Sequence, residues 1–157
     1  MQELLILSGL PGSGKSTHAR RLSAQGVYVI SPDTMRLALN GGVYPRENER
    51  NDYGNLEPLV WSLVELAMKQ LLLAGHNTAL DATNLTKARR QYWRHVGLSI
   101  RPGIRVRIAW FQGQWDSASR WSKERGHSEA EYLHIRQKLE ASLELPTSDE
   151  ADMVEFL

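Results

Sequence analysis

The chain is predicted to adopt an α/β fold with a doubly wound parallel sheet and helices on both faces. Three observations predict it. Short apolar runs alternate with helical patterns along the chain. The first run passes into a glycine-rich turn that opens a helix. The second and third runs end in aspartate-bearing segments, at the strand ends where ligands gather in such sheets.

Residues 4–7 are continuously apolar, as expected of a strand covered on both faces. Gly9, Gly12 and Gly14 follow, and a helix is predicted over 15–24, closed by Gly26. Residues 27–30 read as the second strand. Ser31-Pro32-Asp33 then opens a short helix, with proline where a missing N–H costs nothing. That helix fades at 40–42, and the polar, turn-rich residues 41–55 read as a mobile loop. A longer amphipathic helix over 56–74 leads to a third strand over 77–80, which ends at Asp81. A helix over 86–96, a fourth strand over 104–111 and helical segments at 116–125 and 128–143 come next. Residues 153–157 are the candidate final strand. The whole of 1–157 reads as a single domain, with a helical lid at about 114–130.

Composition narrows the function classes. The 157 residues are 41% hydrophobic, enough for a real core, and contain no cysteine. A disulfide framework, a thiolate metal site and a cysteine nucleophile are therefore excluded. His95, His127 and His134 are scattered and suggest no metal cluster. No apolar run reaches the roughly 20 residues of a membrane helix, and the start lacks the basic lead-in of a signal peptide. A cytoplasmic protein with no membrane partner is expected; oligomeric state is not legible.

Lys+Arg number 19 against 18 Asp+Glu, but the signs are segregated. Between 82 and 115 there are seven cations (87, 89, 90, 94, 101, 105, 107) and no acid. From 127 onward, eight acids face Arg136 and Lys138. The basic stretch, broken by Tyr92, Trp93 and Trp110, has two readings. It tracks a phosphate backbone and stacks bases, or it is a solvated helix face with core aromatics.

The turn Gly9-Leu10-Pro11-Gly12-Ser13-Gly14-Lys15-Ser16 fills every position of GxxxxGK[ST], between a strand and a helix. Its glycines let successive N–H groups point at phosphate oxygens, and the helix adds a partial positive charge. Gly12, Ser13, Gly14, Lys15, Ser16 and Thr17 are thus the expected nucleotide-binding residues. Lys15 is expected on the β- and γ-phosphates and Ser16 on Mg²⁺. The base-reading pattern Asn-Lys-x-Asp of GTPases is missing, which favours ATP.

Asp33, after the second strand, is placed beside the γ-phosphate, where a carboxylate can take a proton from an attacking hydroxyl. Arg36 shares its helix face. Asp81 is the best carboxylate for magnesium-bound water. Thr83 and Asn84 either cap the next helix or touch the acceptor. Arg120 and Arg125 are expected to swing over the triphosphate, with Gly126 as a hinge.

Together GLPGSGKST, SPDTMR, DATNL and the Arg/Lys-rich segment ending in Arg125-Gly126 resemble the kinase domain of phage-type 5′-OH polynucleotide kinases. The resemblance runs from residue 3 to about 140. It implies a P-loop kinase fold, with Lys15 and Ser16 on phosphates and magnesium and Asp33 as general base. It further implies Arg36 on the acceptor's phosphate and Arg125 on the donor phosphates. The family's second lid arginine is replaced by Trp121, with Arg120 one residue away. A fused phosphatase domain, which some members carry, is not expected in this length. The implied activity is ATP-dependent phosphorylation of the 5′-OH end of DNA or RNA. The same residues also suit a kinase of a 5-hydroxymethyl pyrimidine within DNA, a small-molecule kinase or an ATP-sensing binding module.

Overall fold

The computed structural model describes residues 1–43 and 52–157. Five parallel strands lie in the order β2-β3-β1-β4-β5. They are β1 (Glu3–Gly9), β2 (Tyr28–Ile30), β3 (Thr78–Asp81), β4 (Arg105–Phe111) and β5 (Met153–Phe156). The helices are α1 (Lys15–Ala24), α2 (Pro32–Leu39), α3 (Asp52–Leu73), α4 (Lys87–Ile100), α5 (Trp115–Glu124) and α6 (Glu129–Ser142). A 3₁₀ turn, Ser148–Glu150, precedes β5.

The central strand is apolar in both directions because both of its faces are covered. Leu4 and Ile6 point into a core with Val64, Met68 and Leu72 of α3 and Trp93 of α4. Leu5 and Leu7 point the other way, onto Ala19 of α1. Each fully buried leucine is worth about 1.5–3 kcal/mol, so this strand anchors both layers. Parallel register pairs Ile6 with Leu80 on one side and with Ile108 on the other. All strand C-termini therefore end on one edge of the sheet. A third cluster of Leu10, Leu85 and Trp110 ties α5 and α6 down through Trp115, Leu139 and Leu143.

Two expectations change. The loop expected over 41–55 is helical from Asp52, where α3 begins; residues 44–51 lie outside the described residues. Helix α4 runs on through Gly97, which packs closely against Leu4, to Ile100, and Pro102 follows.

The basic stretch is not a continuous phosphate track. Trp93 and Trp110 are core residues, 1% and 4% exposed. Arg107 pairs with Glu3 and Glu155 across three strands. Arg105 lies near Glu3 at the strand N-termini, on the edge opposite the glycine turn. Lys87 pairs with Asp149.

Arg90 is fully buried, as is its partner Glu150. Its Nε and one terminal nitrogen donate to the two Glu150 oxygens at 2.6 and 3.0 Å. The other terminal nitrogen donates to the carbonyls of Asn84 and Leu85. The Asn84 carbonyl in turn accepts from Ser8 at 2.8 Å. A buried polar chain thus runs from the 3₁₀ turn to the root of the glycine turn. Breaking such a pair leaves a charge buried alone, so Glu150→Gln is expected to cost about 3–5 kcal/mol of unfolding free energy. Urea denaturation followed by circular dichroism measures this.

Candidate functional site

The site lies at the C-terminal edge of the sheet, where β1 turns into α1. Gly9 sits at φ +141, and a Cβ there would stand 2.4 Å from the Phe111 carbonyl oxygen. Gly12, at φ +73, would press a Cβ to 2.5 Å from the Ser117 carbonyl oxygen of α5. The α5 backbone therefore rests directly on the turn, and only glycine fits beneath it. Gly14, at φ +98, caps α1 without a side-chain hydrogen bond, and the first turn holds no acid. Helix-start N–H groups left in this way suit an anion.

Lys15 is only 6% exposed. Its ammonium donates to the carbonyls of Gly9 at 2.8 Å and Leu10 at 2.6 Å, and to the Ser13 hydroxyl at 3.3 Å. Burial pulls its pKa down to about 8, against the charges of Asp81 and Asp33, which raise it. Asp81, at the end of β3, has its pKa raised by burial, opposed by a hydrogen bond from Ser16 and the charge of Lys15. The Ser16 hydroxyl and Asp81 carboxylate thus stand together next to the lysine. That donor pair fits magnesium, which takes one or two protein oxygens and completes its shell with phosphates and water. Among the described residues no group of three or more His, Asp or Glu forms a dedicated cage. Thr17 is exposed on α1 and accepts from Arg20.

Asp33 lies in the first turn of α2, which Ser31 caps through the Thr34 N–H and Pro32 starts. One carboxylate oxygen accepts from Arg36 at 2.6 Å and the other from Arg125 at 2.9 Å. The Asp33 side chain remains 41% exposed, against 12% for Arg36. Arg125 caps the C-terminus of α5 and lies over the Trp121 ring at 4.7 Å. Helix α2 and the end of α5 thus meet on one carboxylate.

Arg36 carries a second clamp. Glu57 of α3 takes its Nε and a terminal nitrogen at 2.6 and 2.9 Å, a bidentate pair. Trp61, one turn on, donates its indole N–H to Glu57 at 3.2 Å. Glu57 is the residue that sequence reasoning missed. It reads as one acid among others on an amphipathic helix, and only the meeting of α2 and α3 reveals its role.

The remaining candidates fall differently. Neither Thr83 nor Asn84 caps α4; Thr86 does, through the Arg89 N–H. Asn84 is 3% exposed and holds φ +42. Its amide donates to the Leu7 carbonyl at 2.7 Å, bracing the central strand from within. That geometry turns it inward, a correction to its reading as an acceptor contact. Thr83 is exposed, and its carbonyl accepts from the Gly9 N–H. Arg120 is exposed on α5, and no described hydrogen bond or ion pair joins it to Asp33 or the glycine turn.

A glycine cradle after the central strand, a buried lysine within it, and carboxylates at the end of β3 and just after β2 define a P-loop nucleotide-binding domain of kinase topology. The chain belongs to the family described as AAA domain, which matches residues 4–145. Among curated proteins nothing matches the chain. Two structures of the Pnkp1/Rnl/Hen1 complex, the second described as an RNA repair complex, contain similar chains. They show 25% and 22% identity, with TM-scores of 0.62 and 0.67. The similarity covers 82% and 90% of this chain but only 40% and 45% of those chains. The Mycobacterium tuberculosis APS kinase CysC, solved with AMPPNP and APS, is 19% identical with a TM-score of 0.61. That match covers 99% of this chain and 88% of the other.

With its pKa at about 8, Lys15 loses its proton above that pH, whereas a phosphate held there would need it as an ammonium ion. A phosphate bound beside it would raise this pKa, so binding there would take up a proton at higher pH. Nucleotide affinity is expected to be flat below about pH 7 and to weaken above pH 8, by at most about tenfold per unit. Calorimetric titration with AMPPNP from pH 6.5 to 9.5 checks this.

Proposed function

We propose that the chain is an ATP- and magnesium-dependent kinase that phosphorylates a hydroxyl on a nucleic acid, most simply the 5′-OH end of DNA or RNA. One observation carries the reading: the Asp33 carboxylate is shared by Arg36 from the acceptor side and Arg125 from the lid. The likeness to chains of the Pnkp1/Rnl/Hen1 complex, and the motif resemblance over most of the chain, support a polynucleotide over a small molecule.

In this reading Gly12, Ser13, Gly14 and Thr17 surround the donor phosphates with backbone N–H groups and a hydroxyl. Lys15 exchanges its loop carbonyls for phosphate oxygens. Ser16 and Asp81 would hold magnesium, which would supply neutralisation of the phosphate charge. Asp33 takes the proton from the acceptor hydroxyl as its oxygen bonds to the γ-phosphorus. The bond to the β-phosphate oxygen breaks, and ADP leaves. Arg125 moves from Asp33 to the transferring group, which releases one of the two guanidinium bonds on the carboxylate and neutralises spreading charge. Arg36, kept rigid by Glu57, orients the phosphate next to the acceptor hydroxyl.

Asp33→Asn preserves shape and removes the base. It is expected to lower kcat for a 5′-OH oligonucleotide by about 10²–10⁴-fold, with AMPPNP still bound. Radiolabel transfer from γ-labelled ATP reads the rate. A 5′-phosphorylated strand, and one carrying 5-hydroxymethyluracil, serve as rival acceptors. Label on the latter alone, or undiminished transfer by the variant, contradicts the assignment.

A further inference from the structure

We propose that Arg89, stacked on Trp61, forms a second phosphate-binding position that receives the acceptor chain one step inside the phosphate held by Arg36. This inference rests on the polynucleotide reading above and deepens it.

A row of contacts leads outward from the reacting centre. Asp33 holds Arg36, Glu57 grips Arg36 in bidentate fashion, and the Trp61 N–H is bonded to the same Glu57. The Arg89 guanidinium lies 3.8 Å from the centre of the Trp61 ring, with Trp93 behind it at 5.4 Å. Helices α2, α3 and α4 thus contribute one residue after another to a continuous strip.

Arg89 differs from its paired neighbours, and among the described cations of α4 it alone lies over indole rings. Arg90, Lys87 and Arg107 are paired with carboxylates, and Arg36 carries two. Among the described residues, the Arg89 side chain makes no ion pair and no hydrogen bond; its bonds to the two indoles are face contacts. Stacking uses the plane of a guanidinium and leaves the donors along its edge for a phosphate. It also immobilises the group beforehand, so little entropy remains to be lost on binding.

Arg89 is half-buried at the open side of α4, with the exposed Tyr92 ring one turn further on. A small acceptor carrying one phosphate needs nothing beyond Arg36. A cation placed past Glu57 is of use to a ligand whose phosphates repeat.

The test compares native protein with Arg89→Met, which keeps an unbranched stem on the indole and removes the charge. Acceptors are a 5′-OH oligonucleotide and a nucleoside 3′-monophosphate. The ratio of their kcat/KM values is expected to fall about tenfold in the variant. For the oligonucleotide, the slope of log kcat/KM against log salt should shrink by about 0.7, the signature of one lost phosphate contact to a single strand. Arg89→Lys restores the charge and should recover part of both effects, which a purely structural role for the stack would not produce. An unchanged ratio and slope in Arg89→Met, with native transfer intact, overturns this position alone. A native protein that transfers phosphate to neither acceptor overturns the polynucleotide reading and this position with it.

Discussion

The arrangement depends on one carboxylate held by two guanidinium groups from different parts of the chain. Asp33 stands at the start of α2, one turn before Arg36, and 92 positions before Arg125. In water such a bond is worth little, about 0–1 kcal/mol when exposed. Its significance is geometric: it requires the second strand, α2 and the end of α5 to arrive at the same point. It also couples the position of α5 to that of the carboxylate, because Arg125 is bonded to Asp33 directly.

The convergence is possible because the glycine turn is gripped from both sides. From above, the α5 backbone at Ser117 lies on Gly12 too closely for any side chain. From below, Asn84 donates to Leu7 and its carbonyl accepts from Ser8, while Arg90 and Glu150 hold that loop from the core. Loss at either end moves the cradle relative to Asp33. A buried pair remote from the phosphates is in this sense part of the site's positioning.

Much of this was legible in the chain because local rules suffice for it. The GxxxxGK[ST] spacing, proline at the start of α2 and the apolar runs each declare their own geometry, and all five strands fall where expected. Arg90 was not legible: a cation in a basic run looks solvated, and its partner Glu150 lies 60 residues later. Trp93 and Trp110 look like stacking platforms until packing places them in the core. Asn84 looks like a polar loop residue, but its left-handed backbone turns the amide inward. Glu57 belongs to the same class. Each of these roles is set by long-range contact, which periodicity does not encode.

The most direct measurement is a crystal structure with AMPPNP, magnesium and a 5′-OH dinucleotide bound together. The account predicts the 5′-hydroxyl within hydrogen-bond distance of the Asp33 carboxylate and Arg125 turned from Asp33 to the γ-phosphate. A hydroxyl remote from Asp33, with Arg125 still bonded to it, would contradict the account.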